Sequence, residues 1–250
     1  MGDIGDYGKF GLLRFLSGAG DYNLGVNWYL TPDDGSSDGK YIDYLDEDSR
    51  KYPDKELHEA LKRILSPENL LARNVLAIEK AKILNNAEFY NKELIFGLDS
   101  YDFRRRLDER TSWHEAGLEK LKECNLIFLD PDNGLEIKSS SPTSKKGTKF
   151  VTFREAIDYY EQGKDVVIYQ HRCRMSEAKH IEKYLKFTEM TDIKSEQILV
   201  VTSTKVGLRD YVLLIHKNRL KKVSEAIAKE FIPLWKGYFT HSKSGAYDYP

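Results

Sequence analysis

Cysteine is nearly absent from this chain, with only Cys124 and Cys173 among 250 residues. Two isolated thiols make neither a disulfide framework nor the paired spacing of a structural zinc site, so a buried core has to hold the fold. Cys124 precedes an apolar strand and reads as a small buried residue. Cys173 stands beside His171, the kind of neighbour that activates a thiol nucleophile. Long apolar runs are missing too, and none approaches the roughly 20 residues that span a bilayer. The first segment, MGDIGDYGKFGLLRFL, is acidic before it is apolar, unlike the basic start of a signal peptide; a cytoplasmic protein without a membrane partner is expected. No charge of one sign dominates, since 39 Lys and Arg oppose 40 Asp and Glu for a net charge of −1. Nucleic acid would therefore need a local basic patch rather than whole-molecule attraction. Repeats, low-complexity tracts and clear linkers are lacking as well, which leaves a single domain over residues 1-250.

What is present fits a globular protein: 40% hydrophobic and 32% charged residues. A chain of this length buries roughly three quarters of its unfolded surface. Residues 7–16 place Phe10, Leu13 and Leu16 along one side of a helix. A β-rich run, LGVNWYLT (24–31), is closed by Thr31-Pro32-Asp33-Asp34-Gly35. Helices are expected from Asp54 to Leu65, from Ser66-Pro67-Glu68 onward, and over 101–123 with Leu107, Trp113, Leu118 and Leu121 turned inward; a strand is expected between them, over 87–94. LIFLD (126–130) and VVIYQ (166–170) read as strands covered on both faces, with helices near 152–162 and 176–188. QILVVTS (197–203) and YVLLIH (211–216) are too close for a parallel crossover and should pair antiparallel. A helix near 218–230 and the aromatic segment 235–239 follow. The order predicts an α/β fold: a doubly wound, mainly parallel sheet, helices on both faces and a C-terminal antiparallel hairpin.

Ligands of open α/β sheets bind beyond the carboxyl ends of the strands. Asp130-Pro131-Asp132-Asn133-Gly134 stands at such an end. The apolar strand delivers Asp130, Pro131 stiffens the backbone, and Asn133-Gly134 allows a tight turn with positive φ. Asp130, Asp132 and Asn133 are the catalytic candidates, joined by His171, which ends the next buried strand and is of the residue type whose unperturbed pKa lies near neutrality. Near the start of the chain, Asp3, Asp6, Tyr7 and Lys9 form a polar cluster. Asp6 is expected as a helix N-cap; if that helix start faces the strand ends, Asp6 and Lys9 become pocket residues. Two basic runs, Arg104, Arg105, Arg106 and Lys145, Lys146, Lys149, are the candidate phosphate contacts for a nucleic-acid partner. His58, His114, His180, His216 and His241 have no spacing that suggests a metal site.

The motif and the element order around it resemble the class I S-adenosylmethionine-dependent methyltransferases. The likeness is to their amino-methylating branch, whose strand-end motif reads Asp-Pro-Pro-Tyr or a close variant. Asp130 and Pro131 match its first two positions; Asp132 and Asn133 depart from it and remove the aromatic platform. The terminal strand pair would correspond to that family's hairpin, and the helix before the first strand is similar to the ribosomal-RNA adenine methyltransferases. The resemblance implies a Rossmann-like methyltransferase fold, S-adenosylmethionine as cofactor, and transfer to an amino group of a nucleic-acid base or another substrate. Asp130 and Asn133 would then orient the nucleophile, Asp132 would assist and His171 would border the pocket. Cofactor-binding candidates are Asn27, Tyr29, Thr31 and Asp34, although the turn after the first strand holds one glycine where that family has several. Two other readings stand beside this one. In a metal-dependent phosphodiester or nucleotide hydrolase, Asp130 and Asp132, with Glu136 beyond, would hold Mg²⁺ and Lys138 would stabilise developing charge, but the acid and Glu-x-Lys elements lie too close together to sit on separate strands. In a non-catalytic binding module the fold would persist without chemistry.

Overall fold

The computed structural model describes residues 1–32, 41–66, 74–96, 102–173 and 175–242. The expected helix start at Ser66-Pro67-Glu68 and the candidate Asp34 fall partly or wholly outside these residues. Helix α1 (Ile4–Ala19) runs directly into strand β1 (Leu24–Asn27), so the two are antiparallel and the first turn of α1 lies at the carboxyl edge of β1. Helices α2 (Lys55–Ile64) and α3 (Val75–Lys80) precede β2 (Glu88–Tyr90). Helix α4 (Phe103–Lys120) leads into β3 (Leu126–Leu129) and likewise starts at the carboxyl edge. Next come β4 (Gly134–Leu135), β5 (Phe150–Val151), α5 (Phe153–Glu161), β6 (Asp165–His171) and α6 (Glu177–Met190). The chain continues through β7 (Ile198–Ser203), β8 (Arg209–Leu214), α7 (Lys217–Ala226), a π-helical turn (Ile227–Phe231), α8 (Ile232–Leu234) and β9 (Phe239–Ser242).

The main sheet has the order β2-β1-β3-β6-β8-β7-β9. β2, β1, β3 and β6 are mutually parallel; β8, β7 and β9 continue the sheet antiparallel. The expected hairpin is present, and β9, which the sequence reading missed, covers its outer side. From β1 the chain passes to β2 on one side and returns to β3 on the other, so the switch in strand order falls between β1 and β3.

Side chains alternate across the sheet as the pleat requires. Leu126, Phe128, Val167 and Leu213 join a layer with Phe10, Leu13 and Leu57 of α1 and α2. Ile127, Leu129, Ile168 and Leu214 join the other layer, with Trp113, Ile157 and Phe187 of α4, α5 and α6. Helices therefore cover both faces. Burying one such Leu or Phe contributes about 2 kcal/mol. Phe10, Leu13, Leu16, Trp113 and Leu121 are buried as expected, whereas Leu107 is 44% exposed. It lies in the first turns of α4, turned to solvent.

Candidate functional site

Asp130 leaves β3 with its N–H donated to the Asn27 carbonyl at 3.0 Å, which places it against the end of β1, at the strand-order switch. Its carboxylate meets a residue from the start of the chain: Lys9 Nζ lies 2.8 Å from Asp130 Oδ2 and 3.1 Å from Asp6 Oδ1. The side chains of Lys9 and Asp130 are each 10% exposed. The start of α1 therefore faces the strand ends, the condition under which Asp6 and Lys9 become pocket candidates. Asp6 is not the N-cap. Asp3 caps α1, accepting from the Asp6 N–H, while the Asp6 carboxylate turns to Lys9 and the Gly2 N–H.

Three residues of the neighbouring strands complete this corner. Lys9 Nζ stands 5.3 Å from the ring centre of Tyr169, within cation–π range. The Tyr169 hydroxyl accepts from Arg209 Nε at 2.7 Å. Arg209 Nη1 and the hydroxyl of the fully buried Tyr211 are enclosed without a hydrogen-bond partner among the described residues. Burial raises the pKa of Asp130, an effect that Lys9 opposes and that Asp6 and Asp132 reinforce. Burial acts on Lys9 in the opposite sense, but Asp130 and Asp6 outweigh it and hold the ammonium well above its ordinary range. The proton thus resides on Lys9, and Asp130 is an anion that binds a proton more readily than a surface aspartate. Asp6, pushed up by burial, is brought below its ordinary value by Lys9.

The rest of the motif is held by Gln170 of β6. Its Nε2 donates to the Asn133 carbonyl at 3.1 Å, and its Oε1 accepts from the Leu135 N–H at 3.0 Å. Gly134 has φ of 99°, and a Cβ there would stand 2.6 Å from the Gln170 side chain, so the tight turn read from Asn133-Gly134 requires glycine. Asp132 is half exposed, accepts from the Thr31 hydroxyl at 3.3 Å, and lies 3.3 Å from Lys149 Nζ. His171 is exposed at the end of β6, in register with Arg209; Tyr169, two residues earlier, is the β6 side chain beside Lys9.

The cofactor candidates separate. Asn27 is fully buried, its amide donating to the Tyr159 hydroxyl at 3.4 Å and accepting from the Tyr29 N–H at 3.2 Å. Tyr29 is also buried, with its hydroxyl on Glu155 at 3.3 Å. These two side chains are committed inside the fold. Tyr29 nevertheless adopts a φ of 47°, a left-handed bend of the kind a glycine turn would supply. Thr31 reaches the rim beside Asp132. Glu136 accepts from the Phe153 N–H at 2.8 Å, which turns it toward the start of α5. Among the described residues no group of three or more His, Cys, Asp or Glu is arranged to hold a metal.

Behind the rim, Arg110 of α4 forms a buried bidentate pair with Glu155 at 2.6 and 2.8 Å. Its other bonds go to the carbonyls of Pro142, Gly147 and Phe150 at 2.7 to 3.0 Å. In sequence Arg110 is one cation in a charged helix, and no local signal set it apart from the basic run before it. Searches against protein-family models, curated proteins and solved structures found no match to this chain.

Proposed function

We propose that this protein is an S-adenosylmethionine-dependent methyltransferase of the Rossmann-like type, acting on an amino group presented at Asp130. The observation that carries the reading is the Lys9 ammonium, 2.8 Å from Asp130 at the strand-order switch and 5.3 Å from the Tyr169 ring. Lys9 stands in for a substrate amine at a carboxylate acceptor beside an aromatic face, the platform that position 133 lacks. Two features of the sheet support it: the switch between β1 and β3, where such folds bind ligands, and the terminal antiparallel hairpin.

On this reading a substrate amine exchanges with Lys9, whose ammonium remains paired with Asp6, 3.1 Å away. Asp130 accepts an N–H of the amine and so aims the nitrogen lone pair away from itself. Its raised proton affinity, caused by burial, suits it to take the proton the amine sheds. Tyr169, fixed by Arg209, fills the floor. S-adenosylmethionine supplies an electrophilic methyl group when bound. The bend at Tyr29 and the rim at Thr31 fit it through backbone and hydroxyl contacts, since Asn27 and Tyr29 have no side-chain groups to spare.

The test is thermal unfolding with and without excess S-adenosylmethionine. A ligand at a hundred times its dissociation constant adds about 2.7 kcal/mol, a rise of roughly 5 to 10 °C for a domain this large. An unmoved midpoint would refute the reading.

A further inference from the structure

Two basic runs far apart in sequence form one face. Arg104, Arg105 and Arg106 occupy the first turns of α4, at the carboxyl edge of the sheet. Lys145, Lys146 and Lys149 belong to the segment that Arg110 fastens to α4 through the carbonyls of Pro142, Gly147 and Phe150. Arg106 joins the two directly, with Nη1 3.3 Å from the Thr143 carbonyl. Lys149, 3.3 Å from Asp132, carries the face up to the rim beside Asp130. Three carboxylates near this face have partners: Glu109 with Arg105 at 3.3 Å, Asp132 with Lys149, and Asp102 with the Arg104 N–H; Asp108 is exposed on the same turns of α4. Arg104, Lys145 and Lys146 are exposed. Beside them Phe103 is 60% exposed, a large ring turned to solvent next to cations.

We infer that the substrate presented to Asp130 is part of a nucleic-acid strand with unpaired bases, gripped through its phosphates by this face. The inference rests on the amino-group reading above and names its substrate class. Cations spaced along a track bind a phosphodiester backbone, and an exposed ring beside them stacks an unpaired base whatever its identity. Exocyclic base amines are the amino groups such a strand carries, and the track ends where Asp130 accepts an amine.

Fluorescence anisotropy with labelled single-stranded DNA and RNA of about 20 nucleotides tests it, a length that exceeds the usual footprint of one binding unit. With about four phosphate contacts, affinity should fall on the order of 50-fold between 50 and 200 mM salt. The double variant Lys145→Glu/Lys146→Glu should bind at least about tenfold more weakly with a shallower salt slope. Lys217→Glu/Lys221→Glu, at the opposite edge of the sheet, should bind as the parent does. No binding to either oligonucleotide at 50 mM salt, or equal weakening by both double variants, overturns the inference. So does capture by anionic phosphatidylserine vesicles without oligonucleotide binding. The S-adenosylmethionine midpoint shift, measured on the same preparations, separates the two proposals. It should persist in Lys145→Glu/Lys146→Glu, and its absence from the parent refutes the methyl-donor reading whatever the oligonucleotides do.

Discussion

Asp165 and Asp130 sit at opposite edges of the same sheet, and their surroundings differ in kind. Asp165, at the amino end of β6, is fully buried; it accepts the His216 N–H at 2.7 Å, two Arg219 nitrogens at 2.6 and 3.1 Å, and the Tyr22 hydroxyl. Asp210, within β8, is similar, with Arg172, Tyr184 and Thr202 donating at 2.6 to 2.7 Å. Asp130 has one side-chain donor among the described residues, the Lys9 ammonium, which it shares with Asp6. A carboxylate whose lone pairs are filled by fixed donors is a strut. One that leans on a single lysine shared with a second acid keeps acceptor capacity for a ligand.

The sharpest way to break this comparison is to remove the strut. Asp165→Ala leaves the Arg219 guanidinium, the Tyr22 hydroxyl and the His216 N–H without their acceptor. It should cost about 4 kcal/mol in urea unfolding, as for other broken buried pairs; a loss under about 1 kcal/mol would mean the filled shell is not structural.

Lys9→Met tests the other side. It leaves Asp6 and Asp130 buried together without a cation, so both would bind protons more tightly folded than unfolded. Acids shifted upward support the fold below their unfolded pKa, near 4, and lose that support as pH rises through the folded value. The variant should therefore lose about 3 kcal/mol at pH 8 and much less near pH 4. A loss independent of pH would contradict the ion-pair description.

Lys183 sharpens the contrast further, because its contacts are neutral. It donates to the Leu135 carbonyl at 2.7 Å and to Gln170 at 3.3 Å, and burial lowers its pKa from 10.5 to about 8. For a base shifted downward, the folded form loses its proton first, so stability rises with pH between about 8 and 10.5 and is flat below that window. Relative to Lys183→Met, the parent should gain on the order of 2 kcal/mol across it, after discounting for partial exposure. Parallel stability curves would show that Lys183 titrates normally.

Much of the sheet was legible because its strands are short, continuous apolar runs, and LIFLD and VVIYQ have the form expected of strands covered on both faces. β4 and β5 were not, since two-residue strands have no periodicity to stand out from loops, and β9, Phe-Thr-His-Ser, lacks a continuous apolar run. Position 134 was readable from Asn133-Gly134, because a left-handed turn constrains residue type. Lys9 could be reached only conditionally: its distance in sequence from Asp130 is bridged by the antiparallel packing of α1 on β1, which no local pattern encodes. Tyr169 and Tyr211 were read as strand residues and Arg209 as part of the short connection before the last strand, and only the pairing of β6 with β8 brings them beside Lys9. Asn27 and Tyr29 were singled out by position, but the direction of their side chains depends on partners over a hundred residues away.

Transfer of a labelled methyl group from S-adenosylmethionine to single-stranded oligonucleotide, parent against Asp130→Asn, tests the central claim most directly. The variant keeps the size of the side chain and removes its charge. Incorporation by the parent, with a loss of at least about a hundredfold in Asp130→Asn below the variant's own unfolding midpoint, is the predicted result. Equal incorporation by both proteins would contradict the role given to Asp130, and none by the parent would contradict the proposed reaction.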